Sequence, residues 1–175
     1  MEAALASRSR PIFVVTGHAA RQVENALENL GVSFIFNPDY RSGLTSSLKA
    51  GLAALPETAV GVLVVLGDMP CVPARIIDRL VQVFIEPART PLAVVPVRRG
   101  MRGNPALISR DLFDAIKRLE GDRGARALIE AAGNDVLECL IDDEAIEIDI
   151  DRQETFHRLC TLQQELKRPG STITF

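Results

Sequence analysis

Short continuous apolar runs alternate with amphipathic stretches along most of this chain. Ile12-Phe13-Val14-Val15, Val32 to Phe36, Val62-Leu63-Val64-Val65-Leu66 and Leu92 to Val97 have the length and β-branched content of strands. The third run ends at Gly67-Asp68 and reads as a strand buried on both faces. Between these runs the apolar spacing becomes that of a helix. Ala19 to Leu30 sets Val23, Leu27 and Leu30 on one face and stops at Gly31. A second helix opens at Leu44-Thr45-Ser46-Ser47-Leu48 and runs to about Leu55, and a third spans Pro73 to about Ile85.

The second half continues the pattern. Ala106 to Ser109 is short and extended, and helices at Asp111 to Leu119 and Gly124 to Ala132 are joined by Glu120-Gly121-Asp122-Arg123. Val136 to Ile141 and Ile146 to Ile150 read as late strands, and a last helix covers about Gln153 to Leu166 before a loose tail at Ser171 to Phe175. Repeated strand-helix alternation predicts an α/β fold of three layers, a Rossmann-like and mostly parallel sheet with helices on both faces and right-handed crossovers.

Composition narrows the classes open to such a fold. At 175 residues, 47% apolar and 25% charged, the chain has the make-up of one ordinary globular domain without repeats or linkers. A formal charge of −3 leaves no basic footprint for nucleic acid. Cys71, Cys139 and Cys160 are odd in number and far apart, which argues against a disulfide framework or a close-spaced zinc motif and for reduced thiols in the cytoplasm. No stretch approaches the roughly 20 apolar residues of a membrane span, and the N-terminus lacks the apolar core of a signal peptide.

Candidate chemistry gathers where strands end. Asp68 is delivered by a rigid strand to the sheet edge at which open α/β folds bind ligands, Gly67 admits close approach, and Pro70 stops the strand. A hard carboxylate there suits Mg²⁺ carrying substrate phosphates, or caps the helix beginning near Pro73. The loop Asn37 to Gly43 leads into a helix N-terminus whose hydroxyls and N–H groups contact an anion or nucleotide, unless Ser42, Thr45 or Ser46 simply caps the helix. Arg98, Arg99 and Arg102, with Gly100 and Gly103, form either a clasp for an acidic group or a solvated turn. Glu147, Asp149 and Asp151 alternate with apolar residues as a half-exposed edge strand does, with or without a metal. Cys71 reads as a small packing residue.

Four stretches together resemble the MobA-like nucleotidyltransferases, and specifically their molybdenum-cofactor cytidylyltransferase branch. They are Val14-Val15-Thr16-Gly17-His18; Asn37-Pro38 with Gly43-Leu44-Thr45-Ser46-Ser47-Leu48 and Gly51-Leu52; Gly67-Asp68-Met69-Pro70; and Gly103-Asn104-Pro105 with Gly121-Asp122-Arg123-Gly124-Ala125-Arg126. The resemblance implies a GT-A-like nucleotidyltransferase domain over residues 1–160, with 161–175 a helix end and tail. It implies transfer of CMP or GMP from CTP or GTP to the terminal phosphate of molybdopterin and release of pyrophosphate, with a molybdoenzyme that receives the cofactor as a further candidate partner. Asp68 would hold Mg²⁺, with Asp151 favoured over Asp149 as the second ligand. Gly43, Ser46, Ser47 and Gly67 would lie on the nucleotide side, and Arg102, Gly103, Asn104, Pro105, Asp122 and Arg126 on the pterin side. A non-catalytic cofactor binder and a transferase for another small phosphate are the alternatives.

Three departures from the family pattern stand out. Asn104 replaces the usual His, Arg152-Gln153-Glu154-Thr155 replaces Thr-Pro-Glu-Asp, and the Gly-rich strand and loop that cradles the triphosphate has no counterpart among the 175 residues. That strand is central in the family, between the counterparts of Ile12 to Val15 and Val62 to Leu66. Either these two strands pair directly or a buried ladder is left open, which could promote pairing between chains. Little or no turnover is expected.

Overall fold

The computed structural model describes residues 1–148. The expected α/β alternation is present: α1 (Glu2–Ala6), β1 (Phe13–Thr16), α2 (Ala20–Leu27), β2 (Ser33–Phe36), α3 (Leu44–Ala53), β3 (Gly61–Val64), α4 (Ala74–Ile85), β4 (Ala93–Arg98), β5 (Met101–Arg102), β6 (Ala106–Ser109), α5 (Phe113–Lys117), α6 (Arg126–Ala131) and β7 (Val136–Leu140). No described helix is long and apolar enough to cross a membrane.

The strands form two separate sheets. β1 and β2 pair in parallel, Phe13 opposite Ser33 through Thr16 opposite Phe36. The second sheet runs β3-β6-β4-β5, with β7 parallel to β4. β6 is antiparallel to both β3 and β4, so this sheet is mixed rather than mostly parallel. Its reversal follows from the chain: the β4–β5 hairpin leaves only Gly103 to Pro105 before β6, too few residues for a crossover helix.

Alternation along β4 sends side chains to two cores. Ala93, Val95 and Val97 pack with Leu52 of α3, Phe113 and Ile116 of α5 and Ile129 of α6. Val94, with Leu107 of β6 and Cys139 of β7, packs against Ile76, Ile77, Leu80 and Phe84 of α4. Helices thus cover both faces, and each fully buried Leu or Ile contributes about 1.5–3 kcal/mol.

β1 and β3 do not pair; an open cleft of about 1650 Å³ separates them, walled by Ile12 to Val15 on one side and Gly61 to Leu66 on the other. Hydrogen-bond register shows which groups face it. Ser33 N–H donates to Ile12 O and Asn37 N–H to Thr16 O, so the even-numbered residues of β1 point at β2 and the backbone of Phe13 and Val15 points into the cleft. Arg110 N–H donates to Val60 O, which sets the even residues of β3 against β6 and turns Gly61 and Leu63 to the cleft. Of the two outcomes expected for these strands, the open ladder is the one observed. It also corrects the reading of Val62 to Leu66 as buried on both faces: β3 is half-buried, and Val65 is exposed beyond its end.

Late in the chain, Ile146 to Ile148 is not strand. Glu144–Ile146 is a 3₁₀ turn started by Asp143, whose carboxylate accepts the Ala145 N–H at 2.9 Å, and the Ile146 side chain is buried in the α4 core. Asp149, Ile150, Asp151 and the expected last helix lie outside the described residues.

Candidate active site

The β1–β2 pairing fixes Asn37, because its N–H donates to Thr16 O at 2.8 Å just past the end of β2. The Asn37 side chain is buried, and its Nδ2 donates to Ser46 Oγ at 2.9 Å and Ser47 Oγ at 3.0 Å. Its Oδ1 accepts the Asp39 N–H at 3.0 Å, closing the loop back on itself. Ser46 Oγ, 2.8 Å from Gly43 O and 2.9 Å from Asp39 O, has no remaining proton to offer a ligand. Ser47 only accepts from Asn37 and lines the cleft, so its proton is available there. No side chain caps α3, so neither Ser42, Thr45 nor Ser46 takes the capping role weighed from the sequence.

Gly43 has φ +97 and lies so close to Asp122 that a Cβ there would overlap the Asp122 Cα and Cβ. This contact brings the loop carrying Asp122 against the N-terminus of α3. A buried hydrogen bond from Gly124 N–H to Thr45 Oγ1, 3.0 Å, holds the same two segments together. Thr45→Val should orphan that N–H and cost about 1–3 kcal/mol, while Thr45→Ser keeps most of the stability. Urea unfolding midpoints of the two variants check this.

On the opposite wall, Gly103 abuts the Ile146 carbonyl and Asn104 N–H donates to Ile146 O at 3.2 Å. Gly103 and Asn104 face the cleft, whereas Pro105 is fully buried and serves the core instead. Of the arginines expected to clasp an acidic group, Arg98 and Arg102 already have partners, as does Arg126. Arg102 Nε donates to Glu138 at 2.9 Å, Arg126 Nε to Glu130 at 3.0 Å, and Arg98, largely buried, bonds Glu147 at 2.7 Å. Arg98 is therefore a structural tie, and Arg99 sits in the β4–β5 turn at φ 51.

Asp68 is exposed immediately after Gly67, in a turn where Met69 N–H donates to Leu66 O at 3.3 Å. It does not cap α4, whose N-cap is Pro73 without a side-chain bond. Among the described residues no cluster of three or more His, Cys, Asp or Glu forms a ready metal cage. An exposed, uncommitted carboxylate nevertheless fits Mg²⁺, which takes one or two protein carboxylates and completes its shell with water and substrate phosphates. Asp149 and Asp151 lie outside the described residues. Cys71 also lines the cleft; burial, then the charges of Asp143 and Glu144, push its thiol above the ordinary value, so it stays protonated and is a poor nucleophile.

Ser47, Gly67, Arg102, Gly103, Asn104 and Arg126 thus share one cleft, with Gly43, Ser46 and Asp122 forming the structure behind it. A family model for the MobA-like NTP transferase domain matches residues 1–136. The chain belongs to that family.

This MobA-like chain is 29% identical over 147 residues to the molybdenum cofactor cytidylyltransferase of Escherichia coli strain K12, an overlap of 83% of this chain and 71% of that protein. Its fold superposes with TM-score 0.81 on the Mycobacterium sp. strain JC1 homolog of Rv0371c, at 26% identity, covering 95% of this chain and 81% of the other. With a manganese complex of Rv0371c from Mycobacterium tuberculosis H37Rv the TM-score is 0.77 and the identity 27%, covering 90% and 82%. A nucleotidyl transferase from Methanothermobacter, 22% identical, covers 95% of this chain and 79% of its own with TM-score 0.77, a likeness of fold.

Asn37 and Thr45 are the residues whose importance the pattern alone conceals. Asn37-Pro38 is visible as part of a motif, but only the structure shows Asn37 aligning both serines, and Thr45 bonding a backbone group 79 positions away.

Proposed function

We propose that this MobA-like nucleotidyltransferase binds CTP or GTP beside molybdopterin and is shaped to place CMP or GMP on the terminal phosphate of the pterin, with pyrophosphate leaving. The observation that supports this reading is the sharing of one cleft by the nucleotide-side residues Ser47 and Gly67 and the pterin-side residues Arg102, Gly103, Asn104 and Arg126. Its lining includes Val65, Leu66 and Gly67 just past the end of β3, the position open α/β sheets use for ligands.

Each residue has a task in this reading. Gly67 admits a phosphate close to the backbone, Ser47 donates its free hydroxyl proton, and Asn37 orients that hydroxyl. Gly43 and Ser46 shape the start of α3 for the base and ribose, and Asp122 secures the pterin-side loop against it. Arg102 and Arg126 can exchange their carboxylate partners for a pterin phosphate at small cost, since exposed pairs are worth only about 0–1 kcal/mol. Asn104 can hydrogen bond but not titrate. Mg²⁺ held by Asp68, with Asp151 or Asp149, would supply neutralisation of the charge between two phosphates.

The test is calorimetric binding of CTP and of GTP to the 175-residue chain with and without Mg²⁺. Asp68→Ala is expected to weaken Mg²⁺-dependent binding roughly tenfold, equivalent to about 1.4 kcal/mol, while leaving metal-free binding unchanged. Equal Mg²⁺-dependent affinity in the variant would refute the metal role. A second reading is a nucleotide or cofactor binder, or a carrier of the cofactor, without turnover. Molybdopterin binding without nucleotide transfer would select it.

A further inference from the structure

We propose that Arg98 and Glu147 are a pair of positioning residues for the acceptor side of the cleft, holding the turn at Glu144–Ile146 so that it sets the Gly103-Asn104 loop, an inference that rests on the pterin-side role of Asn104. The loop does not hold itself. Gly103 N–H donates to Pro96 O at 2.9 Å at the end of the β4–β5 hairpin, but the next amide, Asn104 N–H, reaches out of the hairpin to Ile146 O at 3.2 Å. A Cβ on Gly103 would overlap that same carbonyl oxygen. Loop and carbonyl are thus fitted to each other, and a shift of one displaces the other.

The Ile146 carbonyl is fixed from both sides. The Ile146 side chain is buried in the α4 core, and Glu147 N–H closes the turn on Glu144 O at 2.9 Å. Beyond the carbonyl, the Glu147 carboxylate accepts from Arg98 Nη1 at 2.7 Å. Arg98 has strong reason to keep that partner. Its side chain is only 15% exposed, and its Nε is buried with no hydrogen-bond partner among the described residues. Asp142 Oδ1 lies 3.8 Å from that Nε on a side chain fully in solvent. A guanidinium so far out of water is stable only beside a fixed counter-charge, so Glu147 is held in place by the burial of its partner. The place of Arg98 is in turn set by β4, where it lies opposite Met101. Contacts therefore run from a strand through Arg98, Glu147 and the Ile146 carbonyl to the Asn104 backbone. Gly103 and Asn104 line the cleft whereas Arg98 and Glu147 do not, so the pair acts through the loop and not on the ligand.

Two readouts on the full 175-residue chain, both taken well below the unfolding midpoint, test the pair. In the free protein, Glu147→Ala is expected to speed amide hydrogen exchange at Asn104 about tenfold, with Leu107, inside the second sheet, unchanged. Arg98→Met, which breaks the pair from the other side, should do the same. Glu147→Gln still offers Arg98 an oxygen acceptor and is expected to restore most of the protection. Unchanged exchange at Asn104 in Glu147→Ala would overturn the proposal, as would a rise shared equally by Leu107, which marks lost stability alone. The second readout is calorimetric affinity for molybdopterin under anaerobic conditions. Asn104→Ala and Glu147→Ala are each expected to weaken binding about tenfold, and the double variant no further than Asn104→Ala alone, since a residue acting through another does not add to it. Additive losses, or parent-like affinity in Glu147→Ala beside a weakened Asn104→Ala, would overturn the proposal and leave the acceptor reading standing. Parent-like affinity in Asn104→Ala would instead overturn the acceptor reading of that residue, and the pair's part in binding with it.

Discussion

Supplied with CTP or GTP, Mg²⁺ and molybdopterin, the 175-residue chain is expected to release pyrophosphate at least about 100-fold more slowly than the Escherichia coli molybdenum cofactor cytidylyltransferase. The reasoning is electrostatic. Pyrophosphate leaves with charge developing on its oxygens, and a single preorganised donor aimed at such charge is typically worth about 10²–10³ in rate. The family resemblance assigns those donors to a Gly-rich loop that these residues do not contain. What they do contain, Ser47 and Gly67 in the cleft lining and the exposed carboxylate of Asp68 next to Gly67, would serve binding more than departure of the leaving group. A coupled pyrophosphate assay decides the matter, and rates within a few-fold of the Escherichia coli enzyme would show that donors elsewhere replace the loop.

Leu80→Ala should remove about 2–5 kcal/mol from folding stability, a large part of the roughly 5–15 kcal/mol typical of a domain. Leu80 is 0% exposed at the centre of the α4 core, among Ile76, Ile77, Phe84, Val94 and Leu107. Packing around the truncated side chain cannot close the space fully, so lost contact is added to lost burial. Ile85→Ala, five positions on and 66% exposed, is the matched control and should change stability by no more than about 0.5 kcal/mol. Urea denaturation of both variants measures the difference. The same core holds Met69, next to Asp68, and Ile146, whose carbonyl anchors Asn104. Loosening it should therefore also weaken nucleotide binding near the unfolding midpoint.

How far the sequence discloses these features depends on the range of the interactions involved. Buried strands and amphipathic helices depend on near-neighbour periodicity, so β1, β2, β4 and α4 fall within a residue or two of where the apolar pattern sets them. The exposed place of Asp68 is likewise readable, because the apolar run that would bury it stops at Gly67. The direction of β6 is not: Ala106 to Ser109 looks the same whether it runs with or against β4, and only the short link from β5 decides. Ile146 misleads for a related reason. Alternation of apolar and acidic residues suggests an edge strand, yet the capping carboxylate of Asp143 and a deep pocket for one isoleucine outweigh it. At the candidate site, local motif matches locate Ser47, Gly67 and Asn104, but Arg102 reads as a free cation when Glu138, 36 positions away, holds it; the Arg126–Glu130 pair, one helical turn apart, is by contrast local.

The separation of β1 and β2 from the larger sheet also bears on how the molecule comes apart. Among the described residues no ladder hydrogen bond crosses between the two sheets, and α3 ties them: it packs on β1 through Gly51 and Val15, and on the larger core through Leu52. Two units joined by one helix need not melt together. The small parallel pair, with α2 exposed along its outer side and no buried residue in that helix, forms the lower-stability unit, able to open while β3 to β7 remain folded. Within the described residues, coupling between the two sheets therefore runs through the packing of α3 and not through a continuous ladder.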